Sequence, residues 1–405
     1  MFSRIASRLH GETNPLYRLR DELKSQGVSV FDLISGNVTE FGIVFPQDLL
    51  EDVLVRASRQ CQIYRPDSFG QMPARKAISG YYQQRGISIP AGQILLTPGT
   101  SISYWYCFKL LADEGDEILC PHPSYPLFDY IAALSGVKLV SYPLREGERW
   151  SIDLARLDAC ISIKTRALVL ISPHNPTGHV ASEEEIRELA EVAQRHDLAI
   201  ISDEVFSEFL LQSRVLPRPA AASAPLVFTL NGFSKMLALP GIKLGWLGVS
   251  GSPNRVEPAL KALELISDTF LPVNEIVQAA VPDILKGGMP FLSWYGAQVR
   301  ERWRQAEEIL KNTPHCDFVS PEGGFYVTLH LRNLDEERVT LELLDRHHLL
   351  VHPGYFYDIE PHHLVLSFIQ RAEVIEDALT RLAACLESLH LRGTGLPTPN
   401  PHPPH

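Results

Sequence analysis

ALVLISPHNPTGHVASEEEIRELAEVAQRHDLAIISDEVF, residues 167–206, decides the fold. It opens with ALVLIS, a continuous apolar run of strand length, and LAIIS at 198–202 repeats that form. Between them, Ser182 followed by Glu183, Glu184 and Glu185 reads as a capping box, with Ser182 as N-cap and Glu185 reaching back from the third helical position. Ile186, Leu189, Ala190 and Ala193 then follow at helical spacing. Strand, helix and strand, with the strands apolar throughout, describe a mainly parallel sheet covered on both faces.

Working outward, five further segments read as strands: GQILLTPGT (92–100), DEILCPHPSY (116–125), VKLVSYPL (137–144), LVFTLNGFSK (226–235) and KLGWLGVSG (243–251). Together they predict an α/β fold with a seven-stranded, mainly parallel sheet in a large domain over 46–285. After Lys286 the character changes. WYGAQVRERWRQAEEILKN (294–312) reads as a long amphipathic helix, FYVTLHL (325–331) and HLVLSF (363–368) as strands of a smaller sheet, and EVIEDALTRLAACLESL (373–389) as a closing helix. This predicts a smaller α+β domain over 286–392, joined by an N-terminal segment, 1–45, with a helix near Tyr17–Gln26. The tail 393–405 has five prolines in thirteen residues and is expected to be disordered.

Composition removes several functions. With 37 Lys and Arg against 48 Asp and Glu, the formal net charge is −11, which argues against a broad nucleic-acid surface. The N-terminus lacks a signal-peptide core and no run is long enough to span a bilayer, so a cytoplasmic protein is expected. Six scattered cysteines without a CxxC pair suggest neither zinc nor disulfides. His347, His348, His352, His362 and His363 lack helix-face spacing, and no metal site is expected. The absence of GxGxxG after the first strand sets a dinucleotide-binding dehydrogenase aside.

Three polar residues stand just past the C-terminal ends of apolar strands: Asn175, Asp203 and Lys235. Ligands of open α/β sheets bind in the crevice outside those ends. Singly, Asn175 makes a turn, Asp203 caps a helix and Lys235 is a surface lysine; as a set they describe one pocket holding an amide, an acid and an amine. Gly99, Thr100 and Ser101 add a small-residue helix start, where free N–H groups and the helix dipole favour an anion.

SPHNPTG, SDEVF and NGFSKMLALPGIKLGW, in this order, resemble the pyridoxal 5'-phosphate-dependent aminotransferases of fold type I, class I/II. The resemblance implies a Schiff base on Lys235 and a pyridinium nitrogen paired with Asp203. It implies that Asn175 binds the ring's 3'-oxygen, Tyr125 stacks on the ring, and Gly99, Thr100 and Ser101 bind the phosphate. Tyr64 matches a tyrosine that reaches the phosphate of a neighbouring subunit, which implies a homodimer with shared active sites. Gly36 falls where backbone approaches substrate.

Four positions depart from the family pattern. Phe206 stands in place of a tyrosine on the ring oxygen, which leaves that contact to Asn175. Gly232 replaces a phosphate-binding serine. Lys243 replaces a phosphate-binding arginine and is expected to help depress the Lys235 pKa by like charge. Val365 stands where an arginine clamps the substrate carboxylate, with Arg371, Arg4 and Arg8 as substitutes. The expected activity is transfer of an amino group from an amine or amino acid donor to a keto or aldehyde acceptor. Elimination or decarboxylation on the same fold remains an alternative, as does a non-catalytic cofactor-binding module.

Overall fold

The structure, a computed structural model, describes Ile5, residues 14–212 and residues 215–393. Arg4, Arg8 and the proline-rich tail from residue 394 onward lie outside the described residues. In chain order the strands are β1 (Phe31–Asp32), β2 (Ile94–Thr97), β3 (Glu117–His122), β4 (Lys138–Arg145) and β5 (Ser151–Ile152). They continue with β6 (Thr165–Ile171), β7 (Ala199–Asp203), β8 (Leu226–Gly232), β9 (Gly245–Gly251) and β10 (Cys316–Phe318). The last are β11 (Tyr326–Leu331), β12 (Leu349–Leu350), β13 (His352–Pro353) and β14 (His363–Ser367).

The large sheet has the order β2-β9-β8-β7-β6-β3-β4-β5. Each of the seven runs read from the sequence is a strand of it, and β8, β7, β6, β3 and β4 are mutually parallel. β9 runs antiparallel to both β8 and β2. The sheet has eight strands rather than seven, because β5 adds a two-residue edge antiparallel to β4. Two residues carry no readable alternation.

Alternation sorts the strands onto two cores. Leu168, Leu170, Ile200 and Val227 face one way and pack with Ile186, Leu189 and Ala193 of the capped helix Glu183–His196. Val169, Ile201 and Phe228 face the other way, against Phe108 of the helix Thr100–Leu111 and Leu263 of the helix Pro253–Asp268. Each such side chain, buried, contributes about 1.5–3 kcal/mol, so the sheet is fixed on both faces. The direction of strand addition reverses between β3 and β6. Tyr125 and Asn175 follow those two strands, so they flank the crevice the topology creates.

The second sheet is antiparallel, ordered β10-β11-β14-β13, and contains both strands predicted for it. β1 pairs in parallel with β12, and the helix Pro15–Ser25 packs beside the helix Glu336–His347. The amphipathic helix expected from residue 294 begins at Glu275 and runs 36 residues to Leu310. Pro282 and Pro290 lie inside it, and the helix crosses the change of character near Lys286. Proline interrupts the sequence signal even where the helix continues.

A glycine closes the junction under the crevice. Gly178 has φ +70°, and a Cβ there would lie 2.3 Å from Pro321 Cβ. Its carbonyl accepts from Glu322 N (2.9 Å) and Gly323 N (3.0 Å). Gly86 has a similar φ of +76° but open space around it. Because the added methyl clashes only at the first position, Gly178→Ala is expected to cost about 1–3 kcal/mol more than Gly86→Ala in denaturant unfolding. Equal costs would show that backbone strain alone, without the clash, governs both positions.

Candidate active site

The short helix Phe233–Met236 begins where β8 ends, and it turns Lys235 back over the sheet. Its Nζ donates to the Gly36 carbonyl oxygen at 3.0 Å. Although the residue is only half-buried by exposure, the amine itself is enclosed, and that burial pulls its pKa down to about 8. The fraction of neutral amine at pH 7 rises on the order of a few hundred-fold over an ordinary lysine. Burial is the cause. Lys243 is exposed, holds a left-handed φ of 52° and does not line the cavity, so the expected like-charge assistance is absent. A charge in solvent is screened, and charge conservation in sequence does not place it.

Lys235 faces a cavity of about 190 Å³ lined by Gly99, Thr100, Ser101, Tyr125, Asn175, Asp203 and Phe206. Asp203 ends β7 and is buried. Its Oδ1 accepts from Val205 N (3.0 Å) and its Oδ2 from the Tyr104 hydroxyl (2.8 Å). Burial raises its pKa to about 6 against the pull of those two bonds, and among the described residues no basic side chain pairs with it. Asn175 presents a buried Oδ1 without a hydrogen-bond partner among the described residues. At the far side, the helix Thr100–Leu111 starts with no side-chain cap on Gly99 and no acid in its first turn.

Glycines let the walls approach. A Cβ on Gly36 would lie 2.6 Å from the Tyr326 hydroxyl and 2.9 Å from Lys235 Nζ. A Cβ on Gly232 would lie 2.8 Å from the Leu244 carbonyl oxygen, so a serine does not fit there unless β9 shifts. That is the physical reason for the glycine at this departure.

The other departures also have places. Phe206 is buried edge-on to Phe325, with ring centroids 4.9 Å apart, and its ring lies 6.0 Å from Lys235 Nζ. Val365 is fully buried between Thr328 and His352 in the small sheet and lines neither this cavity nor its neighbour. Arg371 is exposed and lines neither. Tyr64 is 69% exposed and lies in a separate surface recess with Asp67 and Gln278, outside this chain's cavity.

Several groups carry no sequence motif. Tyr104 comes from the middle of a helix and Tyr326 from β11, yet both line the cavity. Tyr125, Ser234, Lys235 and Tyr326 also border a second cavity of about 970 Å³, shared with Tyr17, His352 and Tyr357. Only the alternation of FYVTLHL hinted that one of its side chains would face the crevice.

The Asp203 carboxylate, buried without a basic partner, fits a protonated ring nitrogen. The uncapped helix start fits a phosphate, and Asn175, which lines the same cavity, carries an amide N–H that fits a ring oxygen. The model of the aminotransferase class I and II family matches residues 31–382. The chain belongs to that family. This aminotransferase is 31% identical to the glutamate-pyruvate aminotransferase of Haemophilus influenzae, covering 92% of this chain and 94% of the relative. The Escherichia coli K12 glutamate-pyruvate aminotransferase is also 31% identical, over 93% and 95% of the two chains. An alanine aminotransferase structure from Pyrococcus furiosus superposes with a TM-score of 0.89 at 25% identity, covering 96% of this chain and all of the other. An Escherichia coli aminotransferase structure gives 0.86 at 30% identity, covering 96% and 98%. The protein is a pyridoxal 5'-phosphate-dependent aminotransferase of fold type I; the eliminating and non-catalytic alternatives find no support among these relatives.

The Tyr104 hydroxyl lowers the Asp203 pKa, so removing it raises that pKa further and leaves less carboxylate at neutral pH. Tyr104→Phe is expected to weaken cofactor retention several-fold at pH 6.5, with the deficit shrinking by pH 8.5, in equilibrium dialysis. A deficit independent of pH would place the role of Tyr104 in packing alone.

Proposed function

We propose that Lys235 is the residue that carries the cofactor and moves the proton, and that the remaining cavity residues hold the cofactor around it. In this reading Asp203 pairs with the ring nitrogen, Asn175 holds the ring oxygen and Tyr125 covers the ring face. Gly99, Thr100 and Ser101 bind the phosphate. The observation that carries the reading is convergence: an amine with a pKa near about 8 and an acid raised to about 6 border one cavity, each shifted chiefly by burial. When bound, the cofactor supplies an electron sink for charge developing at the substrate carbon.

The chain's own groups do the rest. Lys235, enclosed and partly neutral near pH 7, is a nucleophile and a base within the same cavity. The Gly36 carbonyl aims its amine. Asp203, held by Tyr104 and Val205, keeps a fixed negative charge opposite. Phe206, Phe325 and Tyr326 exclude water from one wall. The donor is an amino acid or amine and the acceptor a keto acid or aldehyde.

The assembly in this reading is a homodimer in the cytoplasm, with Tyr64 reaching the neighbouring subunit's phosphate. Its exposure supports that role, as does that of the adjacent Ile63. Among the described residues, no helix is long and apolar enough to cross a membrane. The pairing of β1 with β12 supports the joining of segment 1–45 to a small domain over 286–392, beside a large domain over 46–285.

The test is a half-reaction. Amino donors mixed with the holoenzyme are expected to convert the cofactor absorbance, and a keto acid to restore it, without release of ammonia. Lys235→Ala is expected to slow the conversion by about 10²–10⁴-fold or more. Ammonia release without an acceptor, or an unimpaired Lys235→Ala variant, would contradict the reading.

A further inference from the structure

The larger cavity carries a hydrogen-bonded chain of three side chains from three elements. The Tyr17 hydroxyl, from the helix Pro15–Ser25, lies 2.8 Å from His352 Nε2. His352 Nδ1, from β13, lies 3.1 Å from the Tyr357 hydroxyl. Tyr357 is fixed in turn, because its carbonyl oxygen accepts from Ser124 N at 2.9 Å, beside Tyr125. All three side chains border the cavity that holds Lys235, and Phe356 packs against both Tyr17 and His352.

This chain is neutral. His352 is 8% exposed, and burial lowers its pKa to about 4, so it is an uncharged imidazole at pH 7. Burial also raises the phenol pKa of Tyr17 and of Tyr357, which keeps both as hydroxyls. The formal charges that act on His352, Asp32 and Arg20, oppose each other, and Arg20 is itself paired with Asp21 at 2.7 Å. Among the described residues bordering the cavity, Lys235 is the one with a formal charge.

Proton counting then fixes what the chain offers. A neutral imidazole has one N–H and each tyrosine one O–H, which makes three protons for two internal hydrogen bonds. One O–H is left over: on Tyr357 if the imidazole proton is on Nδ1, on Tyr17 if it is on Nε2. Either way the cavity receives one neutral donor and the lone pairs of the other hydroxyl. Such a pair matches an amide or hydroxyl, which both accepts and donates. It matches a carboxylate less well, because a carboxylate only accepts: it uses the spare O–H but leaves the lone pairs of the other hydroxyl facing its charge.

We propose that Tyr17, His352 and Tyr357 form the specificity element of this site, and that it selects a substrate whose side chain ends in an uncharged amide or hydroxyl rather than a second carboxylate. The proposal rests on the reading above for the position of the reacting carbon beside Lys235, and it adds the substrate class.

The test uses isosteric pairs. The holoenzyme is mixed with L-glutamine, L-glutamate, L-asparagine or L-aspartate, and the cofactor absorbance is followed in single-turnover half-reactions. Each amide is expected to exceed its carboxylate by tenfold or more in rate over half-saturating concentration, through the concentration term. Tyr357→Phe and His352→Phe, each with cofactor absorbance and melting temperature checked against the wild type, are expected to lower the amide values toward those of the carboxylates. Calorimetry is expected to find glutaramate, which has no amino group to react, binding more tightly than glutarate. Equal or reversed preference in the wild type, or preference unchanged in both variants, overturns the proposal. Failure of every donor, including amines outside these pairs, would instead sink the assignment of transfer chemistry to this cavity.

Discussion

The site depends on two ionisable groups buried beside one cavity without being paired to each other. Among the described residues, enclosed Lys235 has only the Gly36 carbonyl to receive its proton, and enclosed Asp203 has only two neutral donors. Burial pushes the amine down to about 8 and the acid up to about 6. A buried unpaired charge is costly, and proteins ordinarily pair it or leave it out. Here the sheet enforces the arrangement. β7 and β8 are adjacent and parallel, in register from Ala199 to Asp203, so both side chains emerge at the same edge. In the proposed reading, a group with a cationic ring nitrogen and an aldehyde satisfies both at once in the cavity between them.

The rest of the fold serves that edge. Strands β2, β7 and β8 are buried along their whole length and give a platform with little freedom, and the reversal of strand order between β3 and β6 opens the crevice. The turn carrying Gly178 holds the Asn175 loop against Pro321 and Glu322, just before Phe325 and Tyr326 enter β11. Small-sheet side chains are thereby brought onto the large-sheet cavity. Gly36 is the tightest point, because any side chain there would strike both Tyr326 and Lys235.

Much of this was legible in the sequence for a physical reason. Asn175, Asp203 and Lys235 each follow an apolar run long enough to be a buried strand, and the end of a strand has a fixed place in a parallel sheet. Gly99–Ser101 was legible because a helix start after a strand is a local event. Tyr104 was not, since its role arises from a 2.8 Å contact across 99 positions of sequence. Tyr17, His352 and Tyr357 were equally hidden; His352 stood among four other histidines in a segment without periodicity. β5, β10 and β13 have three residues or fewer, too short to alternate. The like-charge effect expected of Lys243 on Lys235 is absent because a positive charge kept at a position says nothing about distance, and this lysine is exposed at a left-handed turn.

The most direct measurement of the central claim is borohydride reduction of the holoenzyme followed by peptide mapping. The account predicts one pyridoxyl label, on Lys235, with reductive capture of cofactor by apo-protein rising through a titration near pH 8. A label on any other lysine, or capture at Lys235 that tracks an ordinary exposed amine near about 10.4, would contradict it.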